Sequence, residues 1–210
     1  ESVSKALASF GSIDVVVNNA GYGMTGTLEE VDTEDIQKIF EVNVLATMNV
    51  TRSILPILRK QQSGYIINIG SVAGFAGAPG WSVYSATKAA VAAFSEVLAL
   101  DVKEMGIKVT VVEPSGFRTG FLSKDSLAYT KSKIDGYVAV QEAQLRYLTA
   151  DGRQSGDPEK AAEILIRLSE SDEKPLHLYL GLDAYKRASE KLNVMVEEKE
   201  QLKSITVSTE

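Results

Sequence analysis

Cysteine is absent from this 210-residue chain, which excludes disulfides and thiolate chemistry. That is compatible with a reducing cytosol, and a cytoplasmic location is the expectation. Histidine occurs once, at His177, so a histidine-based triad or a multi-histidine metal site is almost excluded at the outset. No apolar run reaches the roughly 18–20 residues that a membrane span needs. Residues 1–12 read as the end of an amphipathic helix and a turn, not as a signal peptide. Excess positive charge is missing too: the formal net charge is −6, which offers no general attraction to nucleic acid or an anionic membrane. What remains is 44% hydrophobic and 24% charged, the balance of a soluble globular protein long enough to bury a core.

Short apolar runs alternate with long helical patterns. Ile13–Asn18, Tyr65–Ile69, Ile107–Val112 and Leu176–Leu180 are nearly continuous apolar stretches. Runs without polar alternation predict strands buried on both faces, as in a parallel sheet covered by helices. His177 falls in the last of them and is read as structural. Between the first two, a helix from about Glu34 to Gln61 places Ile36, Ile39, Phe40, Asn43, Thr47, Val50, Ile54 and Ile57 near one face, with a kink expected at Pro56. A second helix runs from about Ser82 to Met105 and stops at Gly106. A third starts at Asp157-Pro158, a cap followed by a first-turn proline, and reaches about Ser169. A charged helix covers about Ala184 to Gln201. Strand–helix–strand repetition predicts an α/β fold, one domain over 1–210, with right-handed crossovers. Residues 116–156 interrupt the alternation at a strand end and hold one helix at about Ser132–Tyr147. In an open α/β sheet that is the side on which ligands bind, so this insertion is a candidate substrate cover.

Candidate chemistry gathers at the same strand ends. Tyr84 and Lys88, in Tyr-Ser-Ala-Thr-Lys, share a helix face at i and i+4. An ammonium beside a phenol favours the phenolate, which suits a tyrosine acid/base. Taken alone, the pair is more often an ordinary helix surface. Ser71 follows a strand and can donate to a substrate oxygen; a turn serine is the ordinary alternative. Asn43 lies on an apolar stripe, where a buried amide needs partners, and a structural tie from helix to strand is an even alternative. Asn18-Asn19-Ala20-Gly21 and Pro114-Ser115-Gly116-Phe117-Arg118-Thr119 each close a strand with small residues that let a ligand or another backbone approach.

In order and spacing these segments together resemble the classical short-chain dehydrogenase/reductase (SDR) family over nearly the whole chain. The resemblance implies a Rossmann-like doubly wound parallel sheet and an NAD(P)-dependent oxidoreductase interconverting an alcohol and a ketone or aldehyde. It implies Tyr84 as the acid/base. Lys88 would lower the tyrosine pKa and bind the nicotinamide ribose. Ser71 would orient the substrate oxygen, and Asn43 would hold a water in a proton relay. Asn18, with Ala20 and Gly21 beside it, would lie near the cofactor ribose. Pro114, Gly116, Phe117 and Thr119 would line the nicotinamide. Ser115 departs from the glycine common there, a change that could alter the loop. No metal is implied.

Members of that family open with a strand, a glycine-rich turn and a helix that bind the pyrophosphate. No such motif precedes residue 13, so roughly 60–70 residues, two strand–helix units, are expected before this sequence. They would hold the residue that selects NAD or NADP. Two further classes stay open: a non-catalytic binding or scaffold protein (or inactive fragment) of the same fold, and an epimerase or dehydratase using the same Tyr/Lys pair. The residues Phe121, Leu122, Leu127, Tyr129, Tyr137, Val138, Val140, Leu145 and Tyr147 suggest a moderately apolar alcohol or carbonyl substrate, or simply packing of the insertion. By resemblance, the helices of Asn43 and Tyr84 form a homodimer or homotetramer contact.

Overall fold

The computed structural model describes residues 2–123 and 125–209. In chain order the main elements are α1 (Ser2–Phe10), β1 (Val15–Asn18), β2 (Gly23–Thr25), α2 (Thr33–Phe40), a π-helical turn (Glu41–Leu45) and α3 (Ala46–Gln61). They continue with β3 (Gly64–Ile69), α4 (Val72–Phe75), α5 (Ser82–Asp101), β4 (Ile107–Pro114) and β5 (Leu127–Tyr129). The last are α6 (Val138–Ala150), α7 (Pro158–Glu170), β6 (His177–Leu180), α8 (Leu182–Gln201) and α9 (Lys203–Thr206).

Strands β1, β3, β4 and β6 form a wholly parallel sheet in the order β1-β3-β4-β6. Parallel pairing requires crossovers, and the helices that supply them cover both faces. Side chains alternate along each strand and therefore sort the core. Ile66 and Val109 face α3 and α5, meeting Ile54, Leu58 and Leu98. Tyr65, Ile67 and Val112 face the other way, against Ile164, Leu165 and Leu168 of α7. Burying a Leu or Ile side chain of this kind contributes about 1.5–3 kcal/mol. The expected burial on both faces holds for β3 and β4, but β1 differs. Among the described residues nothing pairs with its outer edge, and Val15 and Val17 are exposed.

The helix expected over 34–61 is interrupted, and not where proline predicted. α3 continues through Pro56. The break in α-helical register comes earlier, at the π-helical turn around Asn43. One extra residue there rotates the stripe so that Asn43 and Val44 are both buried. The 82–105 helix ends as expected: α5 gives way to a short 3-10 turn, and Gly106 follows with φ +67°. Asp157 caps α7, accepting from the N–H groups of Glu159 and Lys160.

Two features of the 116–156 segment escape a sequence reading. β5 pairs in parallel with β2, Met24 opposite Ala128, forming a separate small sheet. The helix expected at 132–147 starts later, at Val138, because residues 131–137 are bonded elsewhere. Glu30 accepts from the N–H of Ile134 and of Thr27. Tyr137 donates to Glu29 at 2.7 Å, and Gly136 has φ +98°. Burial opposes the Glu30 charge, but those N–H groups, the Thr27 hydroxyl and Lys133 together hold its carboxyl below the ordinary carboxylate range.

Among the described residues α5 is long and apolar enough to cross a membrane by length and composition, which the search for an unbroken apolar run passed over. Here its buried residues, Lys88 and Ser95 among them, pack against the sheet and α4.

Gly106 generates a test of the fold. A Cβ there would meet the Gln62 carbonyl oxygen at 2.3 Å, on top of a left-handed φ. Gly106→Ala is expected to destabilise the protein by at least about 1–3 kcal/mol in denaturant unfolding. An unchanged midpoint would show that the α5–β4 turn relaxes freely.

Candidate active site

All four parallel strands end on the same side, and the candidate residues sit at those ends. Ser71 caps α4 directly after β3, its Oγ accepting from the Ala73 N–H at 3.1 Å. Tyr84 lies in the first turn of α5, which packs against α4. Lys88, one turn on, is 5% exposed and donates from Nζ to the Ile69 carbonyl oxygen at 2.8 Å. Its Nζ lies 5.8 Å from the centre of the Tyr84 ring. The structure therefore brings Ser71, Tyr84 and Lys88 together.

The expected lowering of the tyrosine pKa by lysine is not what this arrangement does by itself. Burial pushes Tyr84 up to about 12, and the hydrogen bond with Ser71 acts in the opposite, lowering sense. Burial also brings Lys88 down to about 8. Two groups leaving water together each disfavour their own charge, so desolvation outweighs the attraction between ammonium and phenolate.

Asn43 is 1% exposed and its amide is committed. Oδ1 accepts from the Tyr22 N–H, while Nδ2 donates to the Tyr22 carbonyl and to Thr87 Oγ1, all at 3.0–3.1 Å. This is the structural tie: it fixes the chain after β1 to both the π-helical turn and α5. Gly21 fits beneath it, where a Cβ would come within 3.0 Å of Asn43 Oδ1 and 3.5 Å of Lys88 Nζ. Asn18 likewise has an internal use. Its Nδ2 donates to Asn68 Oδ1 at 2.8 Å and to Thr51 Oγ1, and Asn68 passes a hydrogen bond on to Ser95. Ala20 is exposed at the same strand end.

Pro114 closes β4, and the Ser115 N–H donates to the Leu180 carbonyl. The departure at Ser115 is absorbed locally. Its Oγ sits where a Cβ on Gly181 would be, 2.5 Å away, and Gly181 takes φ +98°. Gly116 is exposed, Phe117 pairs with Gly156 and packs against Leu180, and Thr119 caps a 3-10 turn by accepting from the Phe121 N–H.

Trp81 escaped the sequence reading. It is the only tryptophan and stands three residues before Tyr84, a signal that could have found it. Its ring meets Tyr84 and Tyr147 edge-on at 5.1 Å each and stacks with Phe121 at 6.4 Å. Tyr84 thus lies against Trp81, just before α5, and against Phe121 beyond β4, with Tyr147 of α6 backing Trp81.

Comparison with known proteins follows this geometry. The family model for short chain dehydrogenases matches residues 1–129. Oxidoreductase BOA17 of Botryotinia fuckeliana is 36% identical over 210 residues, covering all of this chain and 76% of the relative. The uncharacterized oxidoreductase YusZ of Bacillus subtilis is 33% identical over 80% of this chain and 61% of its own length. The 3-ketodihydrosphingosine reductase of Bacteroides thetaiotaomicron is 31% identical over 86% of this chain and 67% of its own. A short-chain dehydrogenase from Streptomyces avermitilis superposes with a TM-score of 0.89 and 33% identity, over all of this chain and 76% of that one. ElxO with NADP bound gives 0.64 and 26%, over 84% and 68%. The chain belongs to the short-chain dehydrogenase family of oxidoreductases, and its fold is Rossmann-like.

Lys88 supplies a prediction with a defined sign. Its folded pKa of about 8 lies below the ordinary 10.5, so its charge costs stability below about pH 8 and the cost is relieved as pH rises toward 10.5. Lys88→Met is expected to melt no lower than wild type at pH 7, with the advantage shrinking toward pH 10. A variant that melts lower by the same margin at every pH would mark Lys88 as structural packing only.

Proposed function

We propose that the chain is an NAD(P)-dependent oxidoreductase that interconverts an alcohol and a ketone or aldehyde. The observation behind the reading is a fully buried phenol, Tyr84, flanked by the Ser71 hydroxyl and the Lys88 amine at one strand-end edge. The nicotinamide nucleotide supplies the hydride when bound. The residues present fit such a group. Lys88 Nζ, a triple donor, spends one hydrogen on Ile69. Gly21 keeps the space beside that ammonium free of a side chain. Lys88, Asn18, Ala20, Gly21, Pro114, Gly116, Phe117 and Thr119 would hold it, with Asn18 contributing from its carbonyl oxygen. Relatives support the same direction: ElxO was solved with NADP bound, and one relative is named for a keto substrate.

In the reducing direction the Tyr84 proton passes to the carbonyl oxygen as its carbon gains hydride. The C=O π bond breaks, C–H and O–H bonds form, and a phenolate remains. A resting pKa of about 12 keeps the phenol protonated and ready to donate. The phenolate is then met by the Lys88 ammonium and the Ser71 hydroxyl. Ser71 also holds the substrate oxygen. Asn43 contributes by fixing Tyr22 and Thr87; a water held beside it would complete the proton path. Trp81, Phe121 and Tyr147 exclude water and favour an apolar substrate, with the 116–156 segment as its cover.

The test follows NADH and NADPH oxidation by the full-length protein against a panel of ketones and aldehydes. Tyr84→Phe is expected to lower turnover about 10²–10⁴-fold while leaving nucleotide binding in place. Failure of the folded full-length protein to bind either nucleotide would overturn the reading.

A further inference from the structure

One buried acid has no part in the chemistry above. Glu113 is the penultimate residue of β4, 1% exposed, in a strand otherwise made of Val, Ile, Thr, a single lysine and the closing Pro114. An uncompensated carboxylate there would be costly, and its surroundings are built to receive it. His177 Nδ1 meets Glu113 Oε2 at 3.0 Å across the β4–β6 pair, and the Tyr179 hydroxyl hydrogen-bonds to the same carboxyl. The far nitrogen of His177 faces Glu96 of α5, Nε2 to Oε1 3.4 Å, and the imidazole stacks on Tyr179 with ring centres 6.2 Å apart. Tyr179 packs in turn on Phe75 of α4, centre to centre 5.7 Å. Along the outer rim, α8 contributes Lys191, which donates to the Phe75 carbonyl, and Arg187, which donates to that of Ala76.

The position of this cluster gives it meaning. A Cβ on Gly70 would touch Glu113 Cγ at 3.5 Å and the Val112 carbonyl at 3.1 Å, so the acid lies directly under the turn Ile69-Gly70-Ser71. Ile69 accepts from Lys88, and Ser71 caps α4 and acts on Tyr84. On its other side Glu113 is bonded directly to Pro114, the last residue of β4, which leads into the loop that ends at Thr119. The carboxylate therefore ties the end of β4 to β6, while its side-chain stem packs beneath the turn that follows β3. An apolar residue would fill the same space without fixing their relative position.

We propose that Glu113, held by His177 and Tyr179, is a positioning residue that locks the Ile69–Ser71 turn against the Pro114–Thr119 loop. It rests on the oxidoreductase reading above. Glu113 touches no substrate; it acts through Ser71, the Ile69 carbonyl and the loop. Burial raises its pKa against the opposing pull of His177 and Tyr179, so its charge costs the fold stability above the ordinary carboxyl pKa. Removing that charge without changing shape therefore separates positioning from folding.

The experiment uses the full-length protein and reads NADPH and NADH affinity by the quenching of Trp81 fluorescence. Melting temperature is read alongside, and turnover with any carbonyl compound that the panel yields. Glu113→Gln is expected to melt at or above the wild-type temperature at pH 7, yet to bind nucleotide about tenfold more weakly and turn over about ten- to a hundredfold more slowly. His177→Leu should reproduce the loss, and His177→Asn should restore part of it, because the Asn amide can donate from nearly the place of the imidazole Nδ1. A second readout uses the His177 ring resonances, assigned by their loss in His177→Leu: nucleotide binding should move them, although the ring touches no ligand. Wild-type affinity in both Glu113→Gln and His177→Leu, with a His177 signal indifferent to nucleotide, would overturn the positioning role and leave the oxidoreductase reading standing. A wild-type protein that binds neither nucleotide would overturn both.

Discussion

The hydrogen bond from Lys88 Nζ to the Ile69 carbonyl governs the arrangement around it. A lysine taken almost wholly out of water needs a fixed acceptor, and the last carbonyl of a central strand is one that cannot swing away. Meeting it sets the depth at which α5 lies over β3 and β4. That depth places Tyr84 beside Ser71 and requires Gly74 of α4, where a Cβ would strike the Lys88 backbone at 2.7 Å. It also leaves Gly21 as the residue that fits between Asn43 and the ammonium.

A polar seam runs beside the aliphatic cluster of Ile54, Leu58, Ile66 and Leu98. Asn18, Asn68, Thr51 and Ser95 pass hydrogen bonds from β1 through β3 to α3 and α5. Each member is buried and partnered, so the seam costs little and forbids alternatives. A one-residue slip of β1 against β3 would separate Asn18 from Asn68 and strand both amides. Asn43 does the same for the turn after β1. Asn18, which the resemblance sets near the cofactor, and Asn43, which it sets beside a relay water, thus spend their side-chain hydrogens on the frame around the site.

Much of this was legible in the residues. Continuous apolar runs marked the sheet strands within a residue or two, and Gly106 and Asp157-Pro158 marked helix ends, because those signals are local. Ser71, Tyr84 and Lys88 were legible as a set through the order and spacing that resemble the SDR family, each being weak alone. The π-helical turn was not, since Glu-Val-Asn-Val-Leu has no unusual composition and the extra residue is stabilised by Tyr22 and Thr87 from elsewhere. Nor was the late start of α6, which depends on Glu30 and Glu29, about a hundred positions away. The balance of charge between Tyr84 and Lys88 was also out of reach, because burial decides it and spacing does not.

The small β2–β5 sheet has a consequence in time. Its two strands are separated by about a hundred residues, and what lies between them, including the two central strands of the large sheet, must be in place before they can meet. Closing so long a loop gains only three residue pairs, so nothing favours it early in folding. The chain would assemble its frame first and shut the aromatic chamber around Tyr84 last. A newly made molecule would then pass through a stage that is compact and cooperative yet still open to water where the reaction has to be dry.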